Sequence, residues 1–210
     1  MKIVVATKNR HKVWEIYKIL ADLKVDLVSL ECLSGISLPE EDQNSFKGNA
    51  LKKARAVAEQ TGMPVLADDS GLEVDALSGR PGIFSARYAG VDASDEENNQ
   101  LLLKELSGVP LKKRSAHYTC VIALVLPSGE EKTFRGRCDG RITLEKRGDG
   151  GFGYDPLFYL PRYRKTMAEI SPETKNRISH RGRAIAKLRI HLSTLREDCN
   201  EECNKEQKSA

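Results

Sequence analysis

The most constraining stretch is Pro64 to Leu77, in which two adjacent carboxylates, Asp68 and Asp69, sit between two mainly apolar runs, Pro64–Leu66 and Leu72–Leu77. Apolar runs of this length, with β-branched residues and turn signals, predict buried strands. Ala67-Asp68-Asp69-Ser70-Gly71 is read as the place where one strand ends and the next begins, at the edge of a cleft. Carboxylate oxygens suit a hard divalent cation or a general base. Ser70 offers a hydroxyl to a phosphate, and Gly71 lets backbone approach a ligand closely. A solvated turn is the competing reading, because Asp, Ser and Gly are ordinary turn residues.

The preceding chain predicts a β-α-β beginning. Lys2 to Ala6 reads as a buried strand. A polar, basic loop follows, Thr7-Lys8-Asn9-Arg10-His11-Lys12, and then a helix with Val13, Ile16, Tyr17, Leu20 and Leu23 at the helical period. A loop between a first strand and a first helix is where α/β folds receive ligands, and a helix N-terminus favours anions. A solvated basic loop is the alternative. No GxxxxGK[ST] pattern occurs, which argues against a P-loop NTPase. A second strand is expected over Val25–Leu30, an acidic loop over Pro39–Asn44, and a helix capped by Ser45 and running to about Thr61. Asn49 and Lys53, four apart, point the same way. If the acidic loop converges on Asp69, Glu41 and Asp69 can share one cation, with Lys53 beside the phosphates. Otherwise Glu40-Glu41-Asp42 only favours the helix start electrostatically.

Further along, Ser85–Tyr88 is expected to be a short extended piece, and Ser94 caps a helix through about Leu106. Ala116–Leu126 and Glu131–Arg141 flank a Pro-Ser-Gly-Glu turn and predict an antiparallel hairpin. Gly148-Asp149-Gly150-Gly151-Phe152-Gly153 fits G-x-G-x-x-G literally, but no helix pattern follows it. It is read as a flexible loop rather than a dinucleotide fingerprint. Phe152 and Tyr154 offer rings to a base or to the core, and Asp155 a hydrogen-bond acceptor. Thr166–Ile170 is expected to contain a short helical piece. A basic segment, Lys175–Arg183, leads into a terminal helix, and residues 197–210, almost wholly polar, read as a disordered tail. The expected domain organisation is therefore one unit of two lobes over residues 1–196 followed by that tail.

Composition narrows the function classes. The chain has 210 residues, 40% hydrophobic and 30% charged, with a formal net charge of +4. Its longest apolar run, Val121–Leu126, is far short of a membrane span, and the N-terminus lacks a signal-peptide core. A cytoplasmic protein is expected, with no membrane partner. Five cysteines without metal-ligand spacing fit reduced thiols better than a disulfide framework or a zinc site, including Cys199 and Cys203. An RNA-binding role would draw on Lys175–Arg183, but stacking aromatics do not alternate with its basic residues, so no nucleic-acid partner is expected.

Taken together, six stretches in order resemble the inosine triphosphatase family of pyrophosphatases acting on non-canonical purine nucleotides. They are Thr7–Lys12; Glu41 with Phe46, Asn49-Ala50 and Lys53-Ala54; Ala67–Leu72; Gly82 with Ser85–Tyr88; Gly151–Pro156; and Ser179–Gly182. The resemblance implies an elongated, two-lobed α/β fold, with a central mixed twisted sheet flanked by helices and the active site in the cleft between lobes. It also implies a homodimer, and Mg²⁺-dependent hydrolysis of ITP, dITP or XTP to the monophosphate and pyrophosphate. By that resemblance Thr7, Lys8, Asn9, Arg10, His11 and Lys12 wrap the triphosphate. Glu41 and Asp69 bind the metal, with Glu40 an open alternative to Glu41. Asp69 is also the base that activates water, and Lys53 neutralises phosphate charge. Ser70, Phe152, Gly153, Tyr154, Asp155, Lys175, His180 and Arg181 complete the nucleotide pocket. Lys8 stands where the family has Gly, and Asp42-Gln43-Asn44-Ser45 departs from its usual acidic-Gly-x-Thr. A non-catalytic nucleotide sensor on the same scaffold is the alternative function.

Overall fold

Alternating apolar residues and helical stripes assemble one seven-stranded sheet with helices on both faces. A computed structural model describes residues 2–23 and 25–208, with side chains described through residue 194. Strand β1 (Lys2–Val5) leads through α1 (Arg10–Leu20) to β2 (Asp26–Ser29), and α2 (Phe46–Thr61) leads to β3 (Val65–Val74). After α3 (Asp95–Glu105), the hairpin β4 (Ser115–Val125) and β5 (Glu131–Ile142) is followed by the short strands β6 (Phe158–Leu160) and β7 (Lys165–Thr166). The chain closes with α4 (Pro172–Ile178) and α5 (His180–Lys208). The strand order is β2-β1-β3-β4-β5-β6-β7. β1 runs parallel to β2 and β3, and every later pairing is antiparallel. The sheet is therefore mixed, as expected. No helix among the described residues is long and apolar enough to cross a membrane.

Period-two alternation sends neighbouring strand residues into different cores. Ile3, Val5 and Leu66 pack with Ile16 and Leu20 of α1 and with Ile185, Leu188 and Leu192 of α5. Val4, Val65 and Ala67 pack with Ala50, Ala54 and Val57 of α2, whose small residues let that helix lie close to the sheet. A third core, with Leu102, Leu106, Leu157 and Phe158, fills the other end of the molecule. Each fully buried Leu, Ile or Phe contributes about 1.5–3 kcal/mol.

The structure corrects several local expectations. Asp68–Gly71 is no turn. β3 is continuous from Val65 to Val74 and pairs along its length with β4, Asp68 opposite Ile122 and Asp69 opposite Val121. Long-range pairing and charged partners override the local turn preference of Asp, Ser and Gly. Ser85–Tyr88 is not extended, because Gly82–Arg87 forms a 3-10 helix. The loop after β1 is shorter than expected: Asn9 caps α1, accepting from Lys12 N at 3.1 Å, so Arg10, His11 and Lys12 belong to its first turn. The expected disordered tail is not seen as such: α5 continues through residues 197–208, while the side chains of Cys199 and Cys203 lie outside those described. Among the described residues Cys32, Cys120 and Cys138 are free.

Candidate active site

The site begins where β1 stops. β1 pairs with β3 only at Val65 and Leu66, so around Asp68–Ser70 that edge of β3 has no strand partner among the described residues, before Glu73 bridges Pro81. This is the carboxyl end of parallel strands, the usual ligand position in such sheets. Asp68 and Asp69 are buried here, and alternation sends their side chains to opposite faces.

On the α2 face, Lys53 Nζ donates to the Asp68 carbonyl at 2.8 Å, pairs with Glu41, and lies 3.7 Å from Asp69 Oδ1. The α2 periodicity that buries Ala50, Ala54 and Val57 also aims Asn49 and Lys53 inward. Asn49 Oδ1 accepts from Gln43 N at 2.9 Å and so pins the acidic loop to the helix. Arg87 Nη2 donates to the Glu41 carbonyl at 2.9 Å. Glu41 thus meets the same lysine as Asp69, with its other oxygen 3.4 Å from Arg87 Nη1, whereas Glu40 is exposed and makes no ion pair among the described residues. Burial pushes the Glu41 carboxyl up, but Lys53 outweighs it and leaves it below its ordinary range. Burial dominates at Asp69 and lifts it to about 6 against the pull of Lys53 and Lys12.

Asp69 Oδ1 accepts from Ser70 N at 3.1 Å, but its buried Oδ2 has no hydrogen-bond partner among the described residues, although the Asn49 amide is close enough to pull its value down. An orphaned carboxylate oxygen is costly unless something binds it. Together with Glu41 it presents the hard oxygen donors a divalent cation requires. Among the described residues no group of three or more His, Cys, Asp or Glu gathers as a metal cluster. The donor set therefore fits Mg²⁺, which is commonly held by one or two carboxylates plus substrate phosphates, better than a cation needing a full protein cage.

On the opposite face Asp68 is consumed by ion pairs. Lys12 Nζ lies 2.5 Å from its Oδ1 and Arg181 Nε 3.0 Å from its Oδ2, and the Cys120 thiol donates to that same oxygen at 3.0 Å. Arg181 continues to Glu15 at 2.6 Å and to Ser70 Oγ at 2.8 Å. Glu15 meets Lys175 at 2.9 Å, and Lys175 meets Asp155 at 2.6 Å. Burial pushes Asp68 up, but Arg181 and Lys12 hold it well below the usual carboxylate range. Adjacent carboxylates thus do different work: one anchors cations, the other is left available.

Above this buried chain lies a slot of about 110 Å³ lined by Lys12, Ser70, Phe152, Tyr154, His180 and Arg181, among others. Asp155 Oδ2 accepts from Phe152 N at 3.0 Å, and Tyr154 donates to the Ser85 carbonyl at 2.8 Å. Phe152 lies 4.7 Å from Lys175 Nζ, 5.7 Å from the Arg181 guanidinium carbon and 5.0 Å from the stacked His11 ring. His180 stacks on Tyr118 at 4.5 Å. Burial holds its imidazole neutral, well below the ordinary value, and its Nδ1 has no partner among the described residues.

The structure thus gathers Asn9, Lys12, Ser70, Phe152, Gly153, Tyr154, Asp155, Lys175, His180 and Arg181 around one slot, with the His11 ring stacked on Phe152, and it brings Lys53, Glu41 and Asp69 together on the other face of β3. Thr7 is buried at the end of β1 and its Oγ1 accepts from Asn9 N at 3.2 Å. Lys8 is exposed. Arg10 does not join the group. It pairs with Glu31 at 3.0 Å on the outer surface, because helix residues two apart cannot share a face with Lys12. Glu15, Arg87 and Asp68 as a cation anchor escaped the sequence reading. Glu15 had one signal, a lone carboxylate between Val13 and Ile16 on the apolar stripe of α1.

The chain as a whole is similar to known proteins. The dITP/XTP pyrophosphatase of Geobacter sulfurreducens is 53% identical over 191 residues, covering 91% of this chain and 96% of that protein. The protein of the same name from Desulforamulus reducens is 52% identical, covering 93% and 97%. The structure of a HAM1 protein from Coxiella burnetii superimposes with a TM-score of 0.85 at 42% identity, covering 92% of this chain and 99% of that one. That of a nucleoside-triphosphatase / dITP/XTP pyrophosphatase from Mycobacterium abscessus gives 0.74 at 45% identity, covering 90% and 98%. Residues 3–191 match the Ham1 family as a whole, and the chain belongs to that family.

Proposed function

We propose that this chain is a nucleoside triphosphate pyrophosphatase that hydrolyses non-canonical purine nucleotides, dITP, ITP and XTP, to the monophosphate and pyrophosphate. The relatives bearing the dITP/XTP pyrophosphatase name support the substrate class. The observation that carries the chemistry is Asp69: buried, lifted to about 6, with one oxygen unpartnered beside Lys53 and Glu41.

A bound Mg²⁺ at Glu41 and Asp69 supplies charge neutralisation at the phosphates. The protein's own groups do the rest. Lys12 and Lys53 balance further phosphate charge, and the first turn of α1 offers free N–H groups to phosphate oxygens. Asp69 takes the proton of the attacking water as a general base. Phe152 supplies a stacking face for the purine. The first turn of α5, at His180 and Arg181, leaves N–H groups without intrahelical acceptors beside the slot. A 6-keto purine presents an acceptor to such donors. Adenine presents a donor there and would leave buried groups unpaired, a mismatch that discriminates strongly.

The reading extends to a cytoplasmic homodimer whose catalytic unit is residues 1–196. Size-exclusion chromatography with light scattering tests the assembly. The activity is tested by pyrophosphate release from dITP, XTP, dATP and dGTP, with and without Mg²⁺. Release from dITP and XTP that requires Mg²⁺ is expected. Tight dITP binding without release would make the protein a sensor.

A further inference from the structure

The geometry points to Asp95 and Asn99 of α3 as positioning residues that hold the stacking wall of the nucleotide slot by gripping both ends of one residue, Gly153. Asp95 Oδ2 accepts from Gly153 N at 2.6 Å, and Asn99 Nδ2 donates to the Gly153 carbonyl at 2.9 Å. The two side chains are four apart on a helix and so share a face. Gly153 has φ +63, within a segment whose Gly148 and Gly151 also have positive φ. Such a segment has wide backbone freedom unless something holds it. On the other side of Phe152, Asp155 takes its N–H. The ring that faces Lys175 and Arg181 is therefore fixed from two directions, by Asp155 below and by α3 alongside.

The character of Asn99 supports a role beyond folding. The Gly153 carbonyl needs a donor, which fixes the amide orientation and leaves Asn99 Oδ1 buried without a partner among the described residues. A half-satisfied buried amide is a poor choice for stability. Its neighbour Asn98 is equally buried and holds a second wall, accepting from Ala89 N at 2.8 Å and donating to the Ala86 carbonyl at 3.3 Å, on either side of the Arg87 that grips Glu41. Helix α3 thus reaches both the stacking wall and the acidic wall.

This rests on the pyrophosphatase reading, and the experiment separates the two. Steady-state dITP hydrolysis is measured for wild type, Asp95→Ala, Asp95→Asn and Asn99→Leu. Binding of dIMP is read in parallel from Trp14, the single tryptophan of the chain, which lines the outer cavity behind Phe152. Asp95→Ala and Asn99→Leu are expected to raise KM and weaken dIMP binding about tenfold, the worth of one lost hydrogen bond, with kcat within about twofold. Asp95→Asn keeps an acceptor oxygen and restores most of both. Unchanged KM and dIMP affinity in folded Asp95→Ala would overturn the proposal. Wild type that releases no pyrophosphate would sink the enzymatic reading alone, since dIMP binding still reports on α3.

Discussion

Glu15 Oε2 accepts from Arg181 Nη1 at 2.6 Å, joining the first helix to the last across 166 positions of sequence. Both residues are buried, and the contact belongs to the chain of alternating charges from Lys12 through Asp68, Arg181, Glu15 and Lys175 to Asp155. Removing one member of such a network strands its partners without solvent.

Glu15→Gln is therefore expected to lower stability by about 3 kcal/mol at neutral pH, by urea unfolding. Burial pushes the Glu15 carboxyl up, yet Arg181 and Lys175 outweigh it and hold it below its ordinary 4.5. A depressed carboxylate contributes stability above its unfolded value and loses it as pH falls through the folded one. The gap between wild type and Glu15→Gln should be full above about pH 5 and shrink as the solution is acidified below the ordinary value. A gap independent of pH would contradict the ion-pair account.

Asp69 behaves oppositely, because burial lifts it to about 6. Its ionised form is the one that binds a cation, so proton and cation compete. Divalent-cation affinity of the nucleotide-free protein, by calorimetry, is expected to rise about tenfold per pH unit below 6 and to flatten above it. Asp69→Asn should abolish that slope.

Close approach of α5 to the sheet positions His180 and Arg181. A Cβ on Gly136 of β5 would collide with the His180 carbonyl and come within 2.6 Å of Ala184 N, both backbone atoms that cannot swing aside. Gly136→Ala is expected to destabilise the fold by about 2–4 kcal/mol and to raise KM for dITP in whatever fraction stays folded. Unchanged thermal stability would show that the helix sits further from the strand.

What the sequence disclosed was local. The Ser45 cap and its stripe marked α2, the Ser94 box marked α3, and the Pro-Ser-Gly-Glu turn marked the β4–β5 hairpin, each signal lying within a few residues of what it governs. The cleft emerged only because six separate stretches resembled one family in order. What stayed hidden depended on distant partners. Asp68 and Asp69 read as a turn because nothing nearby announces Arg181 and Lys53 as their counter-charges. Gly136 carried no mark of the helix pressed against it. The pairing of Arg10 with Glu31, 21 positions away, was equally invisible.

Asp69 is the acidic group on which the proposed turnover depends. The direct measurement is pyrophosphate release from dITP at saturating Mg²⁺ by wild type and Asp69→Asn, with folding of the variant confirmed by circular dichroism. Loss of a general base that also holds the cation predicts a fall in kcat of about 10²–10⁴. Turnover by folded Asp69→Asn within about tenfold of wild type would contradict the account.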